Sequence, residues 1–179
     1  MSSSNISDIS ALRGLTSIRT LDLSRNSISD ISAISGLTTL ARLTLHANPI
    51  SNISALRGLT NLSYIDLMGC QISDISALGG LTRVDVLDLT RNSISDISAM
   101  RGLTNMRSLF LNENNVSDVS ALAGLVRLNM IEITFNNIND ISVFKGMTWL
   151  VWLNLRGNPL SQAQIDELRE ALPNCDVRF

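Results

Sequence analysis

Residues 80–101 read GLTRVDVLDLTRNSISDISAMR, and residues 14–35 read GLTSIRTLDLSRNSISDISAIS. The two stretches are versions of one unit. Glycines stand at Gly14, Gly36, Gly58, Gly80, Gly102, Gly124 and Gly146, each 22 residues from the next, and the pattern L-x-x-L-x-L-x-x-N-x-I recurs behind every one. Ile18, Leu21, Leu23, Asn26 and Ile28 fill it in the first copy, and Leu150, Leu153, Leu155, Asn158 and Leu160 in the seventh. Self-similarity at a fixed short period is the mark of a solenoid, in which no unit buries its apolar face alone and each stacks on its neighbours.

The physics of one unit follows from its pattern. The segment Thr20 to Ser24 alternates with the period of a strand that buries one face, so one strand per copy stacks into a parallel sheet. Asn26, Asn48, Asn92, Asn114, Asn136 and Asn158 then share one repeat position, with Cys70 in the third copy. An amide there can serve the backbone groups of a buried turn that no strand ladder reaches. Asp30, Asp74, Asp96, Asp118 and Asp140 precede a short apolar turn, where a carboxylate at the N-cap accepts backbone N–H bonds and the following glycine suits a left-handed ending. Calcium would need several oxygens on one centre, and these carboxylates are spread one per coil.

This is the leucine-rich repeat signature. The 22-residue length and the stretch I-S-D-I-S-A-L-x-G-L-T resemble the internalin-type repeats of bacterial surface proteins, over Asn5 to about Ser161. Repeats of the same length also occur in an intracellular phosphatase-regulating subfamily. The fold expected is of the α/β class: a right-handed leucine-rich-repeat solenoid with a parallel β-sheet on the concave face, short turns or 3-10 helices on the convex face, and a C-terminal helical cap. The chain reads as a single domain over 1–179, with a partial N-terminal repeat at 1–13, seven repeats over 14–160 and a cap over 161–179. Ser161 and Gln164 have capping-box spacing, Ile165, Leu168 and Leu172 follow at helical spacing, and Pro173 ends the helix. Cys175 to Phe179 reads as a last apolar strand. Asn5 to Arg13 is the second half of a repeat with no strand before it, so either the opening strand edge is exposed, which invites pairing with another chain, or the sequence is a piece of a longer protein.

Composition narrows the function. Of 179 residues 45% are apolar, 4% aromatic and 17% charged, with a net charge of −2, so a general phosphate-neutralising field is absent and nucleic acid is not the expected partner. No apolar run approaches the ~18 residues of a membrane span, and Met1 to Asn5 lacks the layout of an export signal. Cys70 and Cys175 lie about five coils apart, roughly 24 Å at ~4.8 Å per strand, and cannot bridge. No cofactor or metal motif is present. His46, Ser24 and either Asp22 or Asp66 are the residue types of a catalytic triad, but an open strand surface offers neither pocket nor oxyanion site, so no enzyme is expected. The column Thr16, Thr38, Thr60, Thr82, Thr104 and Thr148, broken at Val126, is read as bonding local backbone rather than ice.

Function belongs to the positions the motif leaves free. The concave columns hold Tyr64, Met68, Phe110, Met130, Phe135 and Trp152, flanked by Asp66, Asp88, Glu132, Arg42 and Arg91. Such aromatics are the usual anchors of a protein interface. These eleven residues are the candidate partner-binding surface of a non-catalytic interaction module. Asp66 and Asp88 are like charges on adjacent strands, a cost that a basic ligand would relieve, or else nearby Arg42, Arg91 and Arg107 or solvent, and Arg13, Arg57, Arg101 and Lys145 are expected to serve the ends of the convex turns. The internalin resemblance implies a secreted or cell-surface setting and a host or cell-surface partner. The alternatives are a cytoplasmic regulatory subunit of an enzyme such as a phosphatase, or a repeat scaffold with no evolved ligand.

Overall fold

The computed structural model describes residues 5–179, so all of the opening stretch Met1 to Asn5 except Asn5 lies outside the described residues. Eight strands form one sheet in strict sequence order: β1 (Thr20–Asp22), β2 (Arg42–Thr44), β3 (Tyr64–Asp66), β4 (Val86–Asp88), β5 (Ser108–Phe110), β6 (Met130–Glu132), β7 (Trp152–Asn154) and β8 (Asp176–Arg178). Every pair is parallel, and Leu21, Leu43, Ile65, Leu87, Leu109, Ile131, Leu153 and Val177 fall in one register row. Parallel neighbours need a crossover, and here it is made by the convex half of each coil. That half holds 3-10 turns at Ser10–Leu12, Ser32–Ile34, Ser54–Leu56, Ser76–Leu78, Ser98–Gly102 and Ser120–Leu122, and a single helical turn α1 at Ser142–Lys145. The core is one continuous aliphatic column between sheet and turns, with Phe144 its one fully buried aromatic side chain among the described residues.

The asparagine ladder links coil to coil. The Asn92 amide donates to Leu67 O at 2.9 Å and Leu89 O at 3.0 Å, while its Oδ1 accepts from Ile72 N at 2.9 Å. Asn48, Asn114 and Asn136 repeat this arrangement one coil at a time. Cys70 cannot supply an amide oxygen, and the preceding coil compensates: Ile50 N donates instead to Asn48 O at 2.8 Å, closing a tight turn over Pro49. The same turn recurs over Pro159, where Leu160 N donates to Asn158 O at 2.9 Å and a helix follows in place of an asparagine-bearing coil. Proline thus stands where the next coil provides no asparagine.

Two sequence expectations about the convex turn need correcting. The aspartates sit one residue before the N-cap, which is Ile31 in the second turn, and act as Asx turns: Asp30 Oδ1 accepts from Ser32 N at 2.7 Å and Asp74 Oδ1 from Ser76 N at 2.8 Å. The repeat glycines are not left-handed either, apart from Gly14 at φ 84°. The left-handed column lies elsewhere, at Arg25, Ala47, Gly69, Arg91, Glu113, Phe135 and Gly157, just before the ladder position. Among the seven repeat glycines only Gly102 is crowded by backbone, since a Cβ there would stand 2.8 Å from Gly79 O.

The C-terminal end is closed by α2 (Gln162–Ala171), whose capping box pairs Ser161 and Gln164 in both directions. Leu168 and Leu172 are buried against the last coil, and β8 then completes the sheet. At the other end β1 pairs only with β2 among the described residues.

Candidate functional site: the concave face

The strand register turns the free positions into two lateral columns. Arg42, Tyr64, Val86, Ser108, Met130 and Trp152 are consecutive partners in the first. Thr44, Asp66, Asp88, Phe110, Glu132 and Asn154 are consecutive partners in the second. Alternation forces this, since the residues between them are the core leucines and isoleucines. Met68 lies two residues past the second column, and Arg91 and Phe135 on the left-handed column beyond.

The candidates fall into two groups, about four strands or ~19 Å apart from Tyr64 to Trp152. In the N-terminal group the Arg42 guanidinium lies 3.4 Å from the centroid of the Tyr64 ring, a cation–π contact that holds both side chains. His46 Nδ1 stands 2.9 Å from Asp66 Oδ2, and Asp66 Oδ1 accepts from Met68 N at 3.1 Å. Asp88 accepts from Thr90 N at 2.9 Å, yet burial, with the Asp66 charge adding to it, raises its carboxyl above the ordinary value. Relief by arginine does not occur. Arg42 stacks on Tyr64, Arg91 pairs with Glu113 at 3.0 Å, and Arg107 faces Asp85 at 3.6 Å. The partner of Asp66 is His46, a residue weighed in the sequence only as a catalytic type.

In the C-terminal group Glu132 accepts from Trp152 Nε1 at 2.5 Å and from Asn154 Nδ2 at 2.9 Å. Arg178 of β8 lies 5.7 Å from the Trp152 ring centroid. Phe110 lies between Asp88 and Glu132 in the register. Phe135 is 63% exposed, and its ring covers Gly157 so closely that a Cβ there would meet Cδ1 at 2.5 Å. Tyr64, Met68, Phe110, Met130 and Trp152 are half-buried among their neighbours. Trp149, on the segment leading into β7, packs against the core, its Nε1 without a partner among the described residues.

The triad types do not assemble. The Ser24 hydroxyl is buried and donates to Asp22 Oδ1 at 2.6 Å, which lowers the Asp22 carboxyl further than its backbone bond alone. The serine proton therefore points at a carboxylate and not at His46. Both cysteines are free thiols raised by burial to about 11, too protonated to act as nucleophiles near neutrality. Along the convex side, the fields of Arg13, Arg57, Arg101 and Lys145 add a minor lowering at Asp30, Asp74, Asp118 and Asp140 respectively, while Lys145 pairs with Glu167 and Arg101 donates to Ser120 Oγ.

A regular parallel sheet with an irregular concave face and capped aliphatic core defines a leucine-rich-repeat solenoid. Family models of the leucine-rich repeat match residues 1–50, 38–80, 60–105 and 82–124. An internalin (inlF) from Listeria monocytogenes is 31% identical at a TM-score of 0.94, the match covering 99% of this chain and 52% of that one. Internalin C2 from the same organism is 31% identical at a TM-score of 0.90, covering 99% and 76%. The chain belongs to the leucine-rich repeat family, in its internalin-like class, and spans about half the length of the first of these internalins. The fold alone is shared with a plant peptide hormone receptor, RGFR1, solved in complex with RGF2, at 17% identity and a TM-score of 0.77, covering 99% of this chain and 34% of that one. None of the curated proteins matches the sequence. Leucine-rich-repeat solenoids are generally protein-binding scaffolds, and no helix among the described residues is long and apolar enough to cross a membrane.

Proposed function

We propose that this protein is a non-catalytic binding module that docks a protein partner on its concave face, through Tyr64, Met68, Phe110, Met130, Phe135 and Trp152. The observation that carries this reading is that two surface aromatics, Tyr64 and Trp152, are held by neighbours, while the core has Phe144 as its one fully buried aromatic among the described residues. Arg42 fixes Tyr64, and Glu132 with Arg178 fixes Trp152. Side chains ordered before docking lose little entropy on docking, which favours affinity. Asp66, Asp88 and Glu132 supply an acidic centre, and Arg42 and Arg91 a basic flank, that select the partner by charge. The orientation of Ser24 towards Asp22 supports a non-enzymatic role. Likeness to the Listeria internalins supports a bacterial protein acting at the cell surface or after secretion.

The test is a double substitution, Phe110→Ala with Trp152→Ala, used as bait beside the parent protein in pull-downs from host-cell surface extracts. The partner should be held by the parent and lost from the variant, with melting temperatures within a few degrees of each other. A large fall in stability would show instead that these side chains belong to the packing.

A further inference from the structure

Between each convex turn and the next strand runs a short descending segment, and these segments form a flank of the solenoid with a chemistry of its own. Residues 16–19, 38–41, 60–63, 82–85, 104–107, 126–129 and 148–151 hold four arginines, Arg19, Arg83, Arg107 and Arg127, against one carboxylate, Asp85. On a chain of net charge −2 this is a local surplus of cations.

Two of these guanidinium groups are held without being neutralised. Arg83 Nη1 donates to Asn61 Oδ1 at 2.7 Å, and Arg127 Nη1 to Asn105 Oδ1 at 2.9 Å. Each asparagine is itself fixed by a carbonyl of the preceding coil, Asn61 on Thr38 O and Asn105 on Thr82 O, both at 2.8 Å. A neutral amide orients a guanidinium and leaves its charge and remaining donors free, whereas a carboxylate would cancel them. Arg91, Arg169 and Arg178 are in contrast all paired with carboxylates.

The same flank turns apolar at its C-terminal end. Val126 is 63% and Val151 62% exposed, and Trp149 stands where earlier coils place Asn61, Arg83, Asn105 and Arg127. The indole packs partly against the core, and its buried N–H has no partner among the described residues.

We propose that this flank is a second docking surface, which takes an extended acidic protein segment ending in an apolar side chain. The segment's carboxylates meet Arg83 and Arg127, whose partners are neutral amides, while Arg107 between them faces Asp85, and its apolar residue lies over Val126, Trp149 and Val151. From the coil of Arg83 to that of Val151 is three coils, ~14 Å, the length of about four extended residues. The apolar end is what favours a peptide over a polyanion without apolar groups.

The test is selection from a random linear peptide library displayed on phage, against the parent protein, followed by synthesis of an enriched peptide. Enriched sequences should be acidic with an apolar end. The peptide should bind the Phe110→Ala/Trp152→Ala variant as it binds the parent, bind Arg83→Ala/Arg127→Ala about tenfold more weakly, and weaken with added salt. Val151→Glu, at an exposed position, should repel it without disturbing the fold. Enrichment without acidic bias, loss of binding in the concave variant, or unchanged binding to the arginine variant would each overturn the proposal. So would a heparin oligosaccharide that binds with the same arginine dependence and outcompetes the peptides.

Discussion

At the scale of single residues, stability and function separate by column. Asn92 makes bonds to two coils, so Asn92→Ala should destabilise by about 1–3 kcal/mol, the range for buried groups left unpaired; denaturant unfolding measures it, and an unchanged midpoint would remove the ladder from the account of the fold. Asp88 behaves in the opposite way. Its carboxyl is raised above the ordinary value by burial and by Asp66, so its contribution is most favourable when protonated and worsens as pH rises through the folded-state value. Asp88→Asn keeps an oxygen for Thr90 N and removes the buried charge. It should raise the melting temperature at pH 7 and have little effect at pH values low enough to protonate the parent carboxylate. A charge retained at that disadvantage fits a position kept for a partner. The position of His46 shows the limit of reading residue types. The repeat frame offers it Asp22 or Asp66 as a neighbour, and only the side-chain geometry decides that it pairs with Asp66 while Asp22 holds Ser24.

At the scale of the element, the strands, the ladder and the capping box were legible because each is written as a strict period or a fixed spacing. The left-handed column was not. Five of its seven members are Arg25, Ala47, Arg91, Glu113 and Phe135, so the glycine that usually betrays positive φ is present only at Gly69 and Gly157. The periodic glycines drew attention to the wrong position: a Cβ at Gly58 would meet nothing within 4 Å. Two substitutions test this together. Gly58→Ala should stabilise by about 0.4–1 kcal/mol, through the unfolded chain, and Ala47→Gly should stabilise by up to about 1 kcal/mol, by removing the strain of a left-handed alanine. Gly102→Ala should lower the melting temperature, given the contact with Gly79 O. Thermal melts of the three variants would expose an error in either assignment.

At the scale of the whole molecule, the solenoid is a frame with three long faces, and only one was anticipated as functional. The concave columns could be written down from the repeat period, because register follows from length. The pairings across them, and the guanidinium groups of the flank, depend on which side chains of neighbouring coils meet, which a single repeat does not record. The convex face answers to acid. Asp30, Asp74, Asp96, Asp118 and Asp140 are all lowered, first by the Ser N–H each accepts. Carboxylates lowered on folding stabilise fully above their unfolded values, and that stability is lost as pH falls through the folded ones, so the melting temperature should drop below about pH 4. Asn52 already bonds Ser54 N at 2.9 Å without a charge, so Asp74→Asn should keep the turn and blunt the acid response. The most direct test of concave-face binding is oxidative footprinting of the protein with and without the partner held in the pull-down. Labelling of Met68, Met130 and Trp152 should fall in the complex while the convex face labels as before; unchanged labelling of these three, with protection on the convex face, would contradict it.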